Sequence, residues 1–194
     1  MCFKKLIFAL LFLLSLPTPG MAQKVGLKTN LLTDVALSPN VGIEFGLNPK
    51  WTLDLTGEFN FWTVNQHKWK HWLAQPEFRY WFCERFAGHF IGFHAIGGEF
   101  NFGNITNSVK FLNNDFSQLT KQRVQGWGAG AGFSYGYSWI LSDHWNLEAE
   151  IGVGWIYTRY DVFPCAQCGD KFESNRVHNY VGPTKLALAL EYLF

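Results

Sequence analysis

The sequence predicts an all-β protein, an eight-stranded antiparallel transmembrane up-and-down β-barrel, and three observations predict it. The first is the closing stretch, Tyr180–Phe194. Read with period two, Tyr180, Gly182, Thr184, Leu186, Leu188, Leu190, Tyr192 and Phe194 share one face, and Val181, Pro183, Lys185, Ala187, Ala189, Glu191 and Leu193 share the other. Strand side chains alternate across a sheet, so one face is oily and the other small or charged. The chain stops on the oily face with an aromatic. The second observation is composition: 18% aromatic residues and 19 glycines, the glycines set inside alternating apolar runs rather than in linkers. That suits aromatic girdles outside a crowded interior. The third is an export signal with no later apolar helix to hold the chain in a membrane.

At 194 residues and a net charge of +1, the chain has the length of one domain and no electrostatic reason to bind nucleic acid. Lys4 and Lys5 make a basic start, Leu6–Leu16 an apolar core and Pro17–Gly20 a break. Gly20 and Ala22 place small residues three and one positions before a cut ahead of Gln23. Residues 1–22 therefore read as a cleaved signal peptide and 23–194 as the barrel domain. The apolar run is too short for a membrane helix, which needs roughly 20 residues. Gln23 rather than a cysteine follows the cut, so the mature chain is not a lipoprotein. It keeps Cys83, Cys165 and Cys168, and it crosses a membrane only if its strands do. The location this implies is the bacterial outer membrane.

The strands follow in order. The first runs from Val25 to Leu37, with Val25, Leu27, Thr29, Leu31, Val35 and Leu37 on one face and Lys28, Asn30 and Asp34 on the other. After Ser38-Pro39-Asn40, Val41, Ile43, Phe45 and Leu47 alternate with Gly42, Glu44 and Gly46. Asn48-Pro49-Lys50 is tight-turn chemistry. The third strand, Trp51–Trp62, points Leu53, Leu55, Phe59 and Phe61 outward and Asp54, Glu58 and Asn60 inward. A polar loop, 63–68, leads to a fourth strand reaching Phe82, with Trp72, Ala74, Phe78 and Tyr80 against His71, Gln75, Glu77 and Arg79. Cys83–Gly88 turns into the fifth, where Ile91, Phe93 and Ala95 alternate with Gly92 and His94. The parity slips at Gly97-Gly98, and a bulge there would keep Phe100 and Phe102 on the oily face. Gly103–Lys121 is the longest loop.

The sixth strand, Val124–Ile140, is the plainest: Trp127, Ala129, Ala131, Phe133, Tyr135, Tyr137 and Trp139 alternate with glycine and serine at every even position from 126 to 138. Leu141–His144 turns it. The seventh sets Trp145, Leu147, Ala149, Ile151, Val153, Trp155 and Tyr157 against Asn146, Glu148, Glu150, Gly152 and Gly154. A second long loop, Asp161–His178, leads to the closing strand. Short turns after strands two, four and six, with longer connections at the other end, are the outer-membrane pattern with both termini periplasmic. A soluble eight-stranded barrel would turn the oily face inward. Two features oppose that reading. Trp127, Trp139, Trp145, Trp155, Tyr137, Tyr192 and Phe194 cluster at strand ends on the oily face, as interfacial anchors do, and the glycine-lined face makes a poor solvent surface.

The segments KTNLL, PNVGIEFGL, KWTLDL, HWLAQPEFRYWF, SYGYSWILSDHWNLEAEIGVGW and GPTKLALALEYLF together resemble the Bacteroidota family of small outer-membrane barrels filed as a domain of unknown function (DUF3575). The resemblance spans nearly all of the mature chain. It implies an outer-membrane barrel, with some relatives near genes for surface fimbriae. No catalytic residue is established for the family, so none is carried over.

The inward face is acidic. Asp34, Glu44, Asp54, Glu58, Glu77, Glu148, Glu150 and Glu191 stand against Lys28, Arg79 and Lys185. Counting back from the tight turns places Asp34, Glu44, Asp54 and Arg79 side by side across four strands. Charges in a narrow interior must be paired, so the arrangement reads as a salt-bridged plug, in preference to a cation or proton site. Eight strands leave no open channel, which argues against a porin. Ser174 and His178 are the nearest approach to the Ser–His pair of a lipid A-modifying enzyme, with no third group to orient them. Asn104-Ile105-Thr106 is a glycosylation sequon with little force in a bacterial protein.

The long loops are the expected interaction surface, since binding residues concentrate on loops held by a rigid scaffold. Phe111, Leu112 and Phe116 would cap the barrel mouth or meet a partner. Pro164-Cys165-Ala166-Gln167-Cys168-Gly169 has the spacing of a redox centre or half a zinc site. No helical pattern follows it to lower a thiol pKa, and zinc would need Asp170, Glu173 or His178. An oxidising compartment favours a Cys165–Cys168 disulfide, with Cys83 a lone thiol at the other end. No cofactor and no metal are expected. The partners expected are outer-membrane lipid and lipopolysaccharide, the barrel-assembly machinery at the C-terminal strand, and a surface or fimbrial protein; the chain is expected to be a monomer.

Overall fold

A computed structural model describes residues 24–61, 63–64, 67–103, 110–111, 114–115, 122–165 and 169–194. Eight antiparallel strands form one up-and-down sheet that closes into a ring. They are β1 (Val25–Asn30), β2 (Asn40–Asn48), β3 (Trp51–Asn60), β4 (His67–Trp81), β5 (Gly88–Gly103), β6 (Arg123–Ile140), β7 (Trp145–Phe163) and β8 (Glu173–Leu193). Each pairs with its sequence neighbours, and β1 pairs with β8 from Gly26↔Leu193 to Asn30↔Ala189. Closure pairs the first strand with the last, while β8 before Ala189 has only β7 as a strand partner. Residues 1–23, which include the expected signal peptide, lie outside the described residues.

The alternation read from β6 and β7 holds along both strands. Phe133 is 69% exposed and Ile151 54%, while Ser134, Ser138, Glu148 and Glu150 are buried. The even-numbered glycines of β6 have a packing reason. A Cβ on Gly136 would lie 2.3 Å from the ring of Phe90, and one on Gly132 2.7 Å from Nε2 of His94. The small face of β6 is the recess that receives the large side chains of β5.

Several expected boundaries move. The first strand ends at Asn30, and Leu31–Val35 form a short helix, α1. Asn30 caps it, its side chain accepting from the backbone N–H of Leu32 at 3.2 Å; that is the local bond that competes with a strand ladder. Asp34 therefore leaves the interior face. It accepts hydrogen bonds from Thr29 Oγ1 at 2.7 Å and Asn40 Nδ2 at 2.9 Å. Thr63 and Val64 pair with Lys68 and His67, so the β3–β4 hairpin takes in part of the expected 63–68 loop.

The expected bulge at Gly97-Gly98 is absent. β5 keeps one register against β4 and one against β6. Phe100 and Phe102 therefore turn to the inner face, where Phe102 stacks on Trp69 at 4.7 Å and meets His71 at 5.9 Å. The glycine pair serves close approach instead, since a Cβ on Gly98 would lie 2.2 Å from the carbonyl oxygen of Trp72. The parity change lies in the closing strand. Against β7 the register shifts between Gly152↔Lys185 and Val153↔Pro183, which bulges Thr184. Pro183 offers no N–H to the ladder, and bulges are where sheets accept proline. Beyond the bulge Val181 is exposed and Tyr180 partly covered, the reverse of the expected faces.

β6, β7 and β8 run for 18, 19 and 21 residues. Much of the expected 161–178 loop is thus strand, leaving a connection over 164–172. At its base Lys171 pairs with Asp161 at 2.7 Å, and the Arg123 guanidinium lies 3.7 Å over the ring of Phe163. In the 103–121 segment Lys110–Phe111 pairs with Asn114–Asp115. Leu112, Phe116 and the side chain of Phe111 lie outside the described residues, as does Cys168.

Candidate functional site

The interior carries its polar side chains in layers, and the centre of the main layer is Arg79 on β4. Its side chain is fully buried and touches five carboxylates. Nε donates to Glu77 Oε2 at 2.9 Å, Nη1 to Glu44 Oε2 at 2.6 Å and Glu148 Oε2 at 3.0 Å, and Nη2 to Glu150 Oε2 at 2.7 Å. Asp54 Oδ2 lies 3.0 Å from Nη2. The ring of Phe90 lies 4.5 Å from the guanidinium carbon. A planar guanidinium with five donors suits this role in a way an ammonium cannot.

Two lysines complete the layer. Lys28 from β1 hydrogen-bonds Glu44, and lies 3.1 Å from Asp54 and 3.7 Å from Glu148. Lys185, brought inward beside the bulge, hydrogen-bonds Glu77 and lies 3.1 Å from Glu150. Ser134 donates to the other Glu77 oxygen. Of the expected row of Asp34, Glu44, Asp54 and Arg79, Asp34 is absent from the layer and Arg79 is out of register. Glu44 lies opposite Asp54 as expected, but Glu77, not Arg79, lies opposite Asp54. Arg79 lies opposite Thr52 and reaches the carboxylates by its length.

Three expected members sit differently. Asp34 is held at α1 and joins no ion pair with the layer among the described residues. Glu58 faces the long-loop end, where its Oε1 lies 2.9 Å from His71 Nε2. Glu191 is fully buried, yet neither of its carboxylate oxygens has a hydrogen-bond partner.

Below the charges, toward the short turns, lies an aromatic floor that the sequence reading missed. Trp81 and Phe90 are fully buried with ring centroids 4.6 Å apart, and Phe86 packs 6.3 Å from Trp81. Trp81 Nε1 donates to Thr52 Oγ1 at 2.9 Å. Phe86 belongs to the turn after β4 and takes φ 64, a left-handed value rare for a bulky residue. Its carbonyl accepts from Asn146 Nδ2 at 2.7 Å and Ser138 Oγ at 3.2 Å, which fixes the turn back into the ring. The odd parity of Trp81, shared with Glu77 and Arg79, and the even parity of Phe90, shared with Gly92 and His94, pointed to this floor. Above the charges, His94 Nε2 lies 2.9 Å from Thr184 Oγ1, and a cavity of about 220 Å³ opens beside Lys28, Asp54, Glu148 and Lys185.

Ser174 and His178 lie four residues apart on the single strand β8, a separation of roughly 10 Å or more, far beyond hydrogen-bond reach. Cys83 is an exposed free thiol; the Cys165–Cys168 pairing depends on Cys168, outside the described residues. In the layer as a whole Arg79, Lys28 and Lys185 hold Glu44, Asp54, Glu77, Glu148 and Glu150 in one ion-pair network. No curated protein and no solved structure matches the chain. A family model does match residues 6–194, and the chain belongs to that family, described as a protein of unknown function (DUF3575).

Proposed function

We propose that this chain is a transmembrane β-barrel of a bacterial outer membrane: a non-enzymatic monomer, sealed inside, that presents its long connections for binding. The observation that carries the reading is an inversion of burial. Arg79, Glu44, Glu77, Glu148 and Glu191 are fully buried, while Leu27, Ile43, Leu55, Phe78, Ile91, Phe133, Tyr135, Ile151, Val153 and Leu186 are exposed around the ring. A continuous apolar belt of this kind is costly in water and fits a hydrocarbon solvent. No helix among the described residues is long and apolar enough to cross a membrane. Trp139 and Trp145 near the short turns, with Trp72, Trp127 and Trp155 near the other end, fit the two aromatic girdles.

The surface offered to partners is the end carrying segments 103–121 and 161–178. A membrane strand needs roughly 9–11 residues, whereas β7 and β8 have 19 and 21. The surplus stands clear of the bilayer as an upright hairpin, braced by Asp161–Lys171 and by Arg159 Nε donating to Asn175 Oδ1 at 3.1 Å. A Cys165–Cys168 disulfide pins its tip. A surface or fimbrial protein is the partner this end suits; lipopolysaccharide meets the belt, and β8 is the strand offered to the assembly machinery.

Proteinase added to intact cells tests the topology. Cleavage should fall within 103–121 or 161–178, and a tag inserted at Asn48-Pro49 should stay hidden until the outer membrane is breached. Surface labelling at that turn would reverse the orientation. Titration of denatured, unreduced protein should find one reactive thiol per chain, Cys83; three would remove the disulfide. Lipid A mass spectra should be the same with and without the protein, and a difference abolished by His178→Ala would make it an enzyme.

A further inference from the structure

We propose that Glu44, Glu148 and Glu191 form a buried binding site for one hard divalent cation of the calcium class. One carboxylate oxygen from each of the three lies within 4.8 Å of the others, and all three residues are buried. Acidic residues alone would not make a site. What points to a ligand is Glu191, fully buried and with both oxygens unpartnered, together with Glu44 Oε1, also unpartnered.

The ion-pair network explains why a charge is wanted here. Six buried carboxylates (Glu44, Asp54, Glu77, Glu148, Glu150 and Glu191) face three buried cations (Lys28, Arg79 and Lys185) among the described residues. Lys28 is directly opposite Glu191 across the β1–β8 ladder. Its ammonium nevertheless turns away, to Glu44, Asp54 and Glu148. Arg79 also spends its donors on other carboxylates. A buried carboxylate without a partner is expensive, and a dication shared by three carboxylates would offset much of that cost.

The three oxygens, within 4.8 Å of one another, are close enough to share one ion, and calcium accepts irregular oxygen cages where magnesium demands a near-ideal octahedron and keeps its waters. The donors are all oxygen, which suits hard cations and not zinc or copper. Asn146, opposite Glu191 on β7, adds a buried Oδ1 without a partner. Glu148 also lines the interior cavity beside Lys28, Asp54 and Lys185. Gly26 makes room for it: a Cβ there would lie 2.1 Å from Glu191 Oε1 and 2.8 Å from its Cδ. The carboxylate rests on bare backbone, and any side chain at position 26 would push it aside.

Calorimetric titration of calcium into the folded, chelator-treated protein in detergent tests the site. One ion per chain should bind, with magnesium binding more weakly. Glu191→Gln keeps the shape of the side chain and removes a buried charge, so it should fold, as heat-modifiable migration on gels will show, and bind at least about tenfold more weakly. Gly26→Ala keeps all three carboxylates but displaces one, and should weaken binding similarly. Absence of calcium binding at millimolar concentration overturns the proposal, as does unchanged binding in Glu191→Gln. A protonated-carboxyl infrared band in wild type that calcium leaves unaltered and Glu191→Gln removes would also overturn it, assigning the extra charge to a proton.

Discussion

Two layers close this ring by opposite means. At the short-turn end, Trp81, Phe86 and Phe90 fill the interior with apolar rings, while one layer further in, Arg79, Lys28 and Lys185 bind carboxylates from four of the eight strands. The floor gains from burial in the ordinary way, by removing apolar surface from water. The charge layer does not. Desolvating that many ions costs several kcal/mol each, and their attraction repays it only while every partner is present. The floor is therefore tolerant and the charge layer brittle. What the charge layer adds is registration: Arg79 meets carboxylates from β2, β3, β4 and β7. A one-residue slip would take a whole strand's charges to the outer face.

Substitutions sharpen this comparison. Arg79→Ala should be the most damaging, costing about 5 kcal/mol or more, because it leaves five buried carboxylates facing one another. Urea unfolding in lipid vesicles measures it. The loss should shrink on acidification, because neutral carboxyls no longer repel; a loss independent of pH would mean that Arg79 acts by packing alone. Phe90→Ala should cost about 3–4 kcal/mol, the range for emptying a buried ring site, with no such pH dependence. Trp81→Phe keeps the ring packing and removes only the bond to Thr52, so it should cost about 1 kcal/mol. If it matches Arg79→Ala, the distinction between the layers fails.

The smallest effect lies outside both layers. The hydrogen bond from Lys171 holds the Asp161 carboxyl below its ordinary value of 3.8. The order it gives the hairpin is present above that value and lost as the pH falls through the lowered one. Lys171→Met should leave global unfolding unchanged and raise proteolytic nicking between 164 and 172 at neutral pH. Equal nicking would show that the brace is elsewhere.

How much of this was legible follows physical lines. The faces of β2, β3, β4, β6 and β7 could be read because period-two alternation is local and unbroken there. Residues that depend on what lies across the sheet were harder. Glycine pairs mark bulges or close approaches with equal ease, and at Gly97-Gly98 the carbonyl of Trp72 decides for approach. Pro183 was the clue to the real bulge, yet its partner strand is needed to see that Thr184 and Lys185 both turn inward. Asp34 was lost to a cap: Asn30 bonds its own backbone and stops the strand. Phe86 could not have been placed from sequence at all, since its inward turn rests on hydrogen bonds from β6 and β7, more than fifty residues away.

The central claim is that lipid surrounds the outer face, and nitroxide labels test it most directly. On a background lacking the native cysteines, labels at Phe133 and Leu186 should be reached by membrane-soluble oxygen and shielded from a water-soluble nickel complex when the protein sits in bilayers. A label at Asp143, in the turn between β6 and β7, should show the reverse. Equal access of the nickel complex to Phe133 and Asp143 would contradict the account, because the apolar belt would then face water.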